Sequence, residues 1–222
     1  MSIAARKLAS VYQYPSATSA KGTAMQSAIP SQSGLSSRLA SLPESLFGKV
    51  VMVISATILV AACAHVSIPL PFTPVPITLQ NFAVVLVGLV LGPVAGFSAM
   101  VLYLAEGAMG LPVFSPHGPG GVAQLMGPTA GYLFAYPVAA AATGWIVGAM
   151  KSVASRFTRA VVAGIVANII IFTLAATWLA HFLHLGATAA WTLAVAPFLL
   201  GEAIKVTAAA GIFSAMQRWK RS

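Results

Sequence analysis

Three charged side chains of this chain of 222 residues stand inside apolar runs: Glu106, Glu202 and Lys205. Glu202 and Lys205 are three apart in PFLLGEAIK (197–205), a spacing that puts both on one helix face. A charge at the centre of a bilayer costs at least about 2.5–3.5 kcal/mol, so such residues face a protein interior or an aqueous cavity. Two roles fit the pair. It is a buried salt bridge that fixes helix packing, or it lines a polar cavity and exchanges hydrogen bonds with a solute. Intramembrane ionisable pairs favour the second role. Glu106, near the outer end of its span, either snorkels to the interface or rims the same cavity. Gln80 and Asn168 are weaker candidates, and Asn168 serves equally well as glue between helices.

These readings depend on the elements around them. The chain is 59% hydrophobic and 7% charged, with 12 Lys/Arg, 3 Glu and no Asp. A soluble domain carries about 25% charged residues, so a soluble globular domain is excluded. A disordered chain is excluded by the hydrophobicity. The remaining class is an all-α, multi-pass membrane protein, and the length allows about six crossings. Six apolar spans follow Lys49: about 50–66, 77–92, 93–111, 129–150, 160–180 and 188–216. The second is short and ends in a tight turn at Gly92-Pro93. Pro137 and Pro197 predict kinks in the fourth and sixth.

Of the 12 basic residues, 11 fall in the N-terminal segment and its edge, the loop after span four and the C-terminus. With six spans these three segments share one side, the cytoplasm by the positive-inside rule, so both termini are expected there. Trp145 and Trp219 near inner ends, with Trp178 and Trp191 near outer ends, agree. The net charge of +9 does not point to nucleic acid, because the basic residues lie between spans and not on one face. Residues 1–48, with eleven Ser and four basic residues, read as a disordered cytoplasmic tail ahead of the membrane domain 49–222. The same composition also suits an organelle transit peptide. Cys63 reads as a small buried hydrophobe.

The first outer loop, IPLPFTPVPITLQ (68–80), holds four prolines in eight residues, as a semi-rigid lid over a cavity would. The second holds Gly118, Gly120 and Gly121, then Gly127-Pro128-Thr129, which suit either close backbone approach to a ligand or simple tight turns. His65, His117, His181 and His184 fall near the outer side as interfacial residues, without Cys or Asp to complete a metal site. Gly88-xxx-Gly92 and Gly144-xxx-Gly148 suit close helix packing. No phosphate loop, serine-nucleophile motif or zinc motif is present, so neither an ATPase nor an intramembrane enzyme is indicated.

Four stretches, IPLPFTPVPITLQ (68–80), YLAEGAMGLPVF (103–114), GPTAGYL (127–133) and PFLLGEAIK (197–205), resemble the BioY family. Its members are the biotin-specific substrate-binding subunits, or S components, of energy-coupling factor transporters. The resemblance implies a six-helix bundle with an outward-facing biotin pocket and no resident cofactor. It implies partners too: a transmembrane coupling protein and two cytoplasmic ATPases, in a bacterial cytoplasmic membrane. Glu202 and Lys205 fall on the family's acidic-x-x-Lys motif, where Asp is commoner at the first position. On this reading Glu202 accepts from the ureido N–H groups of biotin, and Lys205 donates to the ureido oxygen or the ligand carboxylate. Gln80, Thr78, Tyr132 and Asn168 are expected as polar neighbours, and Phe72, Phe114 and Tyr103 as apolar walls. The family docks its coupling protein through a small-xxx-small surface on the first helix, for which the best match here is Thr57-xxx-Ala61. Where the family often has Tyr and Gly in span five, this chain has Phe172 and Ala175. The alternatives are an S component for another small vitamin, and a structural or assembly membrane protein.

Overall fold

The computed structural model describes residues 46–153 and 155–219. The last three residues of the expected N-terminal tail, 46–48, open the first helix, while its residues 1–45, and the basic residues at 220–221, lie outside the described residues. Within them the chain forms α1 (Leu46–His65), a ribbon of β1 (Ser67–Ile68) and β2 (Ile77–Thr78), then α2 (Gln80–Ala108) and α3 (Gly121–Leu125). There follow α4 (Ala130–Ala149), α5 (Arg156–Phe182), α6 (Ala187–Ala194), a 3-10 turn (Ala196–Phe198) and α7 (Leu199–Trp219). α1, α4 and α5 are long and apolar enough to cross a membrane, as are α2 and the stretch Ala187–Trp219 when each is taken end to end. Their outward faces carry exposed Val, Ile, Leu and Phe side chains, which only a hydrocarbon surround satisfies.

The element α2 is a hairpin. Gly92 breaks its helical geometry with φ 80° and ψ −177°. A Cβ on Gly96 would lie 3.4 Å from the Cα of Gly88. In a straight helix, residues eight apart are separated by about 12 Å. The chain therefore folds back at Gly92-Pro93, and the limbs 80–91 and 93–108 are the second and third expected spans. At about 18 and 24 Å both are shorter than the roughly 30 Å hydrocarbon core. The turn is seated on α4: a Cβ at Gly144 would meet the Gly92 carbonyl carbon at 2.4 Å and the Pro93 nitrogen at 2.5 Å.

The sixth expected span is not one helix with a kink. It is broken at Val195 (φ −127°, ψ −59°) into α6, the 3-10 turn and α7. Pro197 sits in the first turn of the 3-10 segment, where its missing N–H costs no hydrogen bond. Pro137 lies inside α4, as expected. At the opposite end of the bundle the Arg156 guanidinium donates to the Gln217 carbonyl at 2.6 Å, tying the start of α5 to the end of α7.

The ribbon pairs Ser67 with Thr78 and Ile68 with Ile77. In the loop at its tip, Thr73 and Val75 are buried while Phe72 and Pro74 are exposed. Such alternation is that of extended chain. Thr73 Oγ1 donates to the Leu193 carbonyl at 2.9 Å, which pins the loop beside the break in the last span.

Candidate functional site

α7 begins directly after the break, so its first turns lie beneath the ribbon and the outer loops. Glu202 and Lys205 sit there one turn apart, 4% and 9% exposed. Lys205 Nζ donates to Glu202 Oε1 at 2.7 Å. The side chains of Asn81 and Asn168 also lie close to this carboxylate. Glu202 Oε2 and Asn168 Oδ1 are buried and close no hydrogen bond. Buried polar atoms are nearly always paired, so the unpaired oxygen of Glu202, beside the cleft, marks a place for a donor. Asn81 is itself held in place, because Tyr136 donates to its Oδ1 at 3.1 Å.

Above the pair is a narrow cleft of about 490 Å³, counting the open space at its mouth. Its floor is Glu202, Lys205, Asn81 and Tyr136; its outer walls include Val75, Pro76 and Phe114. A wider apolar groove of about 1280 Å³ between α5 and α7 shares Glu202 and is otherwise lined almost entirely by carbon. The cleft and not the groove gathers the polar side chains.

The expected site residues divide into three groups. Glu202, Lys205, Gln80, Thr78, Tyr132 and Phe114 line the cleft together. Asn168 and Tyr103 stand just behind it. Asn168 faces the groove with its side chain near Glu202. Tyr103 accepts from Gln80 Nε2 at 2.7 Å, donates to the Val113 carbonyl at 2.8 Å, and packs edge-on against Phe114 at 5.4 Å. It orients one polar and one apolar wall without reaching the cleft. Tyr132 donates to the Ala194 carbonyl at the break and meets Phe198 edge-on at 6.4 Å. Phe72 does not line the cleft: it is 59% exposed, on the outward register of the extended loop. Val75 takes the inward place.

Two further expectations change. Thr57 is 1% exposed and its hydroxyl approaches Glu106 Oε1 at 3.0 Å and the Ile54 carbonyl at 2.9 Å. Thr57 of Thr57-xxx-Ala61 is therefore turned toward α2, while Ala61 is half-buried. Glu106 does not rim the cleft; half-buried, it is the acceptor beside the inward Thr57 hydroxyl. Among the described residues no group of three His, Cys, Asp or Glu is placed to hold a metal ion.

The cleft also holds residues that sequence reasoning missed: Asn81, Tyr136, Ser115, Gln124, Thr129 and Phe198. Asn81 adjoins the flagged Gln80, and Tyr136 lies one helical turn after Tyr132, so both carried a faint signal. Gln124 carried none. Its Nε2 donates to Thr129 Oγ1 at 2.9 Å and its Oε1 accepts from the Gly120 amide at 3.3 Å, bracing the outer loop over the cleft.

Comparison with known proteins gives a consistent result. Residues 35–222 match the family model described as the BioY family. The chain is 37% identical over 144 residues to the probable biotin transporter BioY of Pyrococcus horikoshii, covering 65% of this chain and 82% of that protein. It is 37% identical over 164 residues to the biotin transporter BioY of Rhizobium etli, covering 70% and 84%. It is 36% identical over 154 residues to the biotin transporter BioY of Thermotoga maritima, covering 69% and 86%. The fold is similar to the crystal structure of the S-component for biotin from an ECF-type ABC transporter. That likeness has a TM-score of 0.69 at 24% identity and covers 82% of this chain and 93% of that one; it is a likeness of fold.

Proposed function

This chain belongs to the BioY family, a non-enzyme family of membrane proteins, and from that premise we propose that it binds biotin and mediates its uptake. The observation that carries the reading is the floor of the cleft. Glu202 Oε2 is an orphaned acceptor, and the Lys205 ammonium is a donor one turn away. A cyclic urea presents the complementary pattern, N–H beside C=O. Glu202 accepts from the ureido N–H groups, and Lys205, which keeps two N–H groups beyond its bond to Glu202, donates to the ureido oxygen. The ring enters first. A neutral ring sheds its water at far lower cost than a carboxylate does, so the valerate stays toward the outer mouth. Phe114, Tyr132 and Phe198 supply apolar surface for the thiophane ring and chain.

The chain has no phosphate loop of its own. Energy therefore comes from partner subunits, a transmembrane coupling protein and two cytoplasmic ATPases, in a bacterial cytoplasmic membrane. The test is uptake of labelled biotin by cells that lack their own biotin transporter. Cells carrying the chain with a coupling module are expected to accumulate label. Unlabelled biotin should abolish the signal, and other ring-bearing vitamins should leave it unchanged. Equal accumulation with and without the chain would overturn the proposal, and competition by another vitamin alone would reassign the ligand.

A further inference from the structure

We infer that the outer end of the cleft meets the ligand's tail with a neutral hydroxyl, that of Ser115, and with no cation, so that tails ending in a carboxamide are accepted as well as carboxylates. This rests on the reading that the ring of biotin lies on Glu202 and Lys205, and it concerns the other end of the molecule.

The sequence has no Lys or Arg between Lys49 and Lys151, and none between Arg159 and Lys205. Among the described residues the one cation lining the cleft is thus Lys205, on the floor and paired to Glu202 at 2.7 Å. It lies six residues, about 9 Å, along α7 from the outer end of that helix. The polar residues of the mouth are Ser115, Gln124 and Thr129. Gln124 has both ends of its amide engaged, on Thr129 and on the Gly120 backbone. Ser115 differs. It is 8% exposed, and its Oγ is buried without a hydrogen-bond partner. It stands where the cleft meets two crevices of the outer loops, one flanked by His65 and the other by His117. Neither histidine lines the cleft itself. A buried hydroxyl with a free donor is a site for an acceptor, and both a carboxylate and a carboxamide carbonyl are acceptors. A cation at the mouth would separate the two tails by charge; a hydroxyl separates them only weakly.

The experiment measures biotin and its primary carboxamide binding to the full chain in detergent. Wild type is expected to bind the carboxamide within about tenfold of biotin. Ser115→Ala should weaken biotin by about tenfold and the carboxamide by less, as for loss of one hydrogen bond to a charged and to a neutral acceptor. Ser115→Thr, which keeps the hydroxyl, should restore most of the loss. The melting temperature of unliganded Ser115→Ala should not fall, because the hydroxyl has no partner to lose. Rejection of the carboxamide by more than tenfold, or wild-type affinities in Ser115→Ala, overturns the inference while leaving biotin binding intact. Failure of wild type to bind biotin at all overturns instead the ligand reading of Glu202 and Lys205.

Discussion

Glu202 and Lys205 were legible in the sequence because a charge inside an apolar span is costly and demands a reason. Their partners were not. Asn81 gains meaning only when the hairpin brings its limb beside α7, and Ser115 only when the outer loop closes over the cleft. Phe72 was misplaced for a local reason: an extended loop alternates its side chains, and the register that buries Thr73 and Val75 turns Phe72 outward. At this scale two substitutions separate ligand binding from helix packing. Glu202→Gln and Lys205→Met are each expected to weaken biotin by at least about tenfold, or 1.4 kcal/mol, while the protein still inserts. Titration calorimetry in detergent checks this. A purely structural pair would instead give variants of unchanged affinity and lowered stability, since removing one partner leaves the other charge buried alone.

The elements follow from small residues and prolines as much as from hydrophobicity. Gly92-Pro93 announced a turn, and the structure makes it a hairpin whose limbs are too short to cross alone. The break in the last span was harder to read. Pro197 suggested a kink, but the unwinding starts at Val195, where Tyr132 and Thr73 grip the carbonyls of Ala194 and Leu193. Those contacts come from chain more than 60 residues away, beyond any local pattern. The hairpin gives a paired test. Gly144 faces the backbone of Gly92 and Pro93, which cannot move aside, whereas a Cβ at Gly148 meets nothing within 4 Å. Gly144→Ala should destabilise the fold by about 1–3 kcal/mol, as overpacking does. Gly148→Ala should leave the melting temperature unchanged or slightly raised, since Ala is the better helix former. Equal melting temperatures for the two variants would contradict the hairpin packing.

For the molecule as a whole, the shortage of charge was the most informative feature. It excluded soluble folds, and the placement of the basic residues gave the orientation expected for the spans. It also left few ionisable groups with a buried role. The structure divides these between two tasks, Glu106 with Thr57 on the α1–α2 seam and Glu202 with Lys205 at the cleft. Of these two pairs, the second has a buried oxygen without a hydrogen bond, on a residue that lines the cleft. The central claim is that this cleft binds biotin, and the most direct measurement is calorimetric titration of the purified full chain with biotin. One biotin bound per chain, with the heat lost when biotin is already present, is the predicted result. No saturable heat from a folded, monodisperse sample would contradict it.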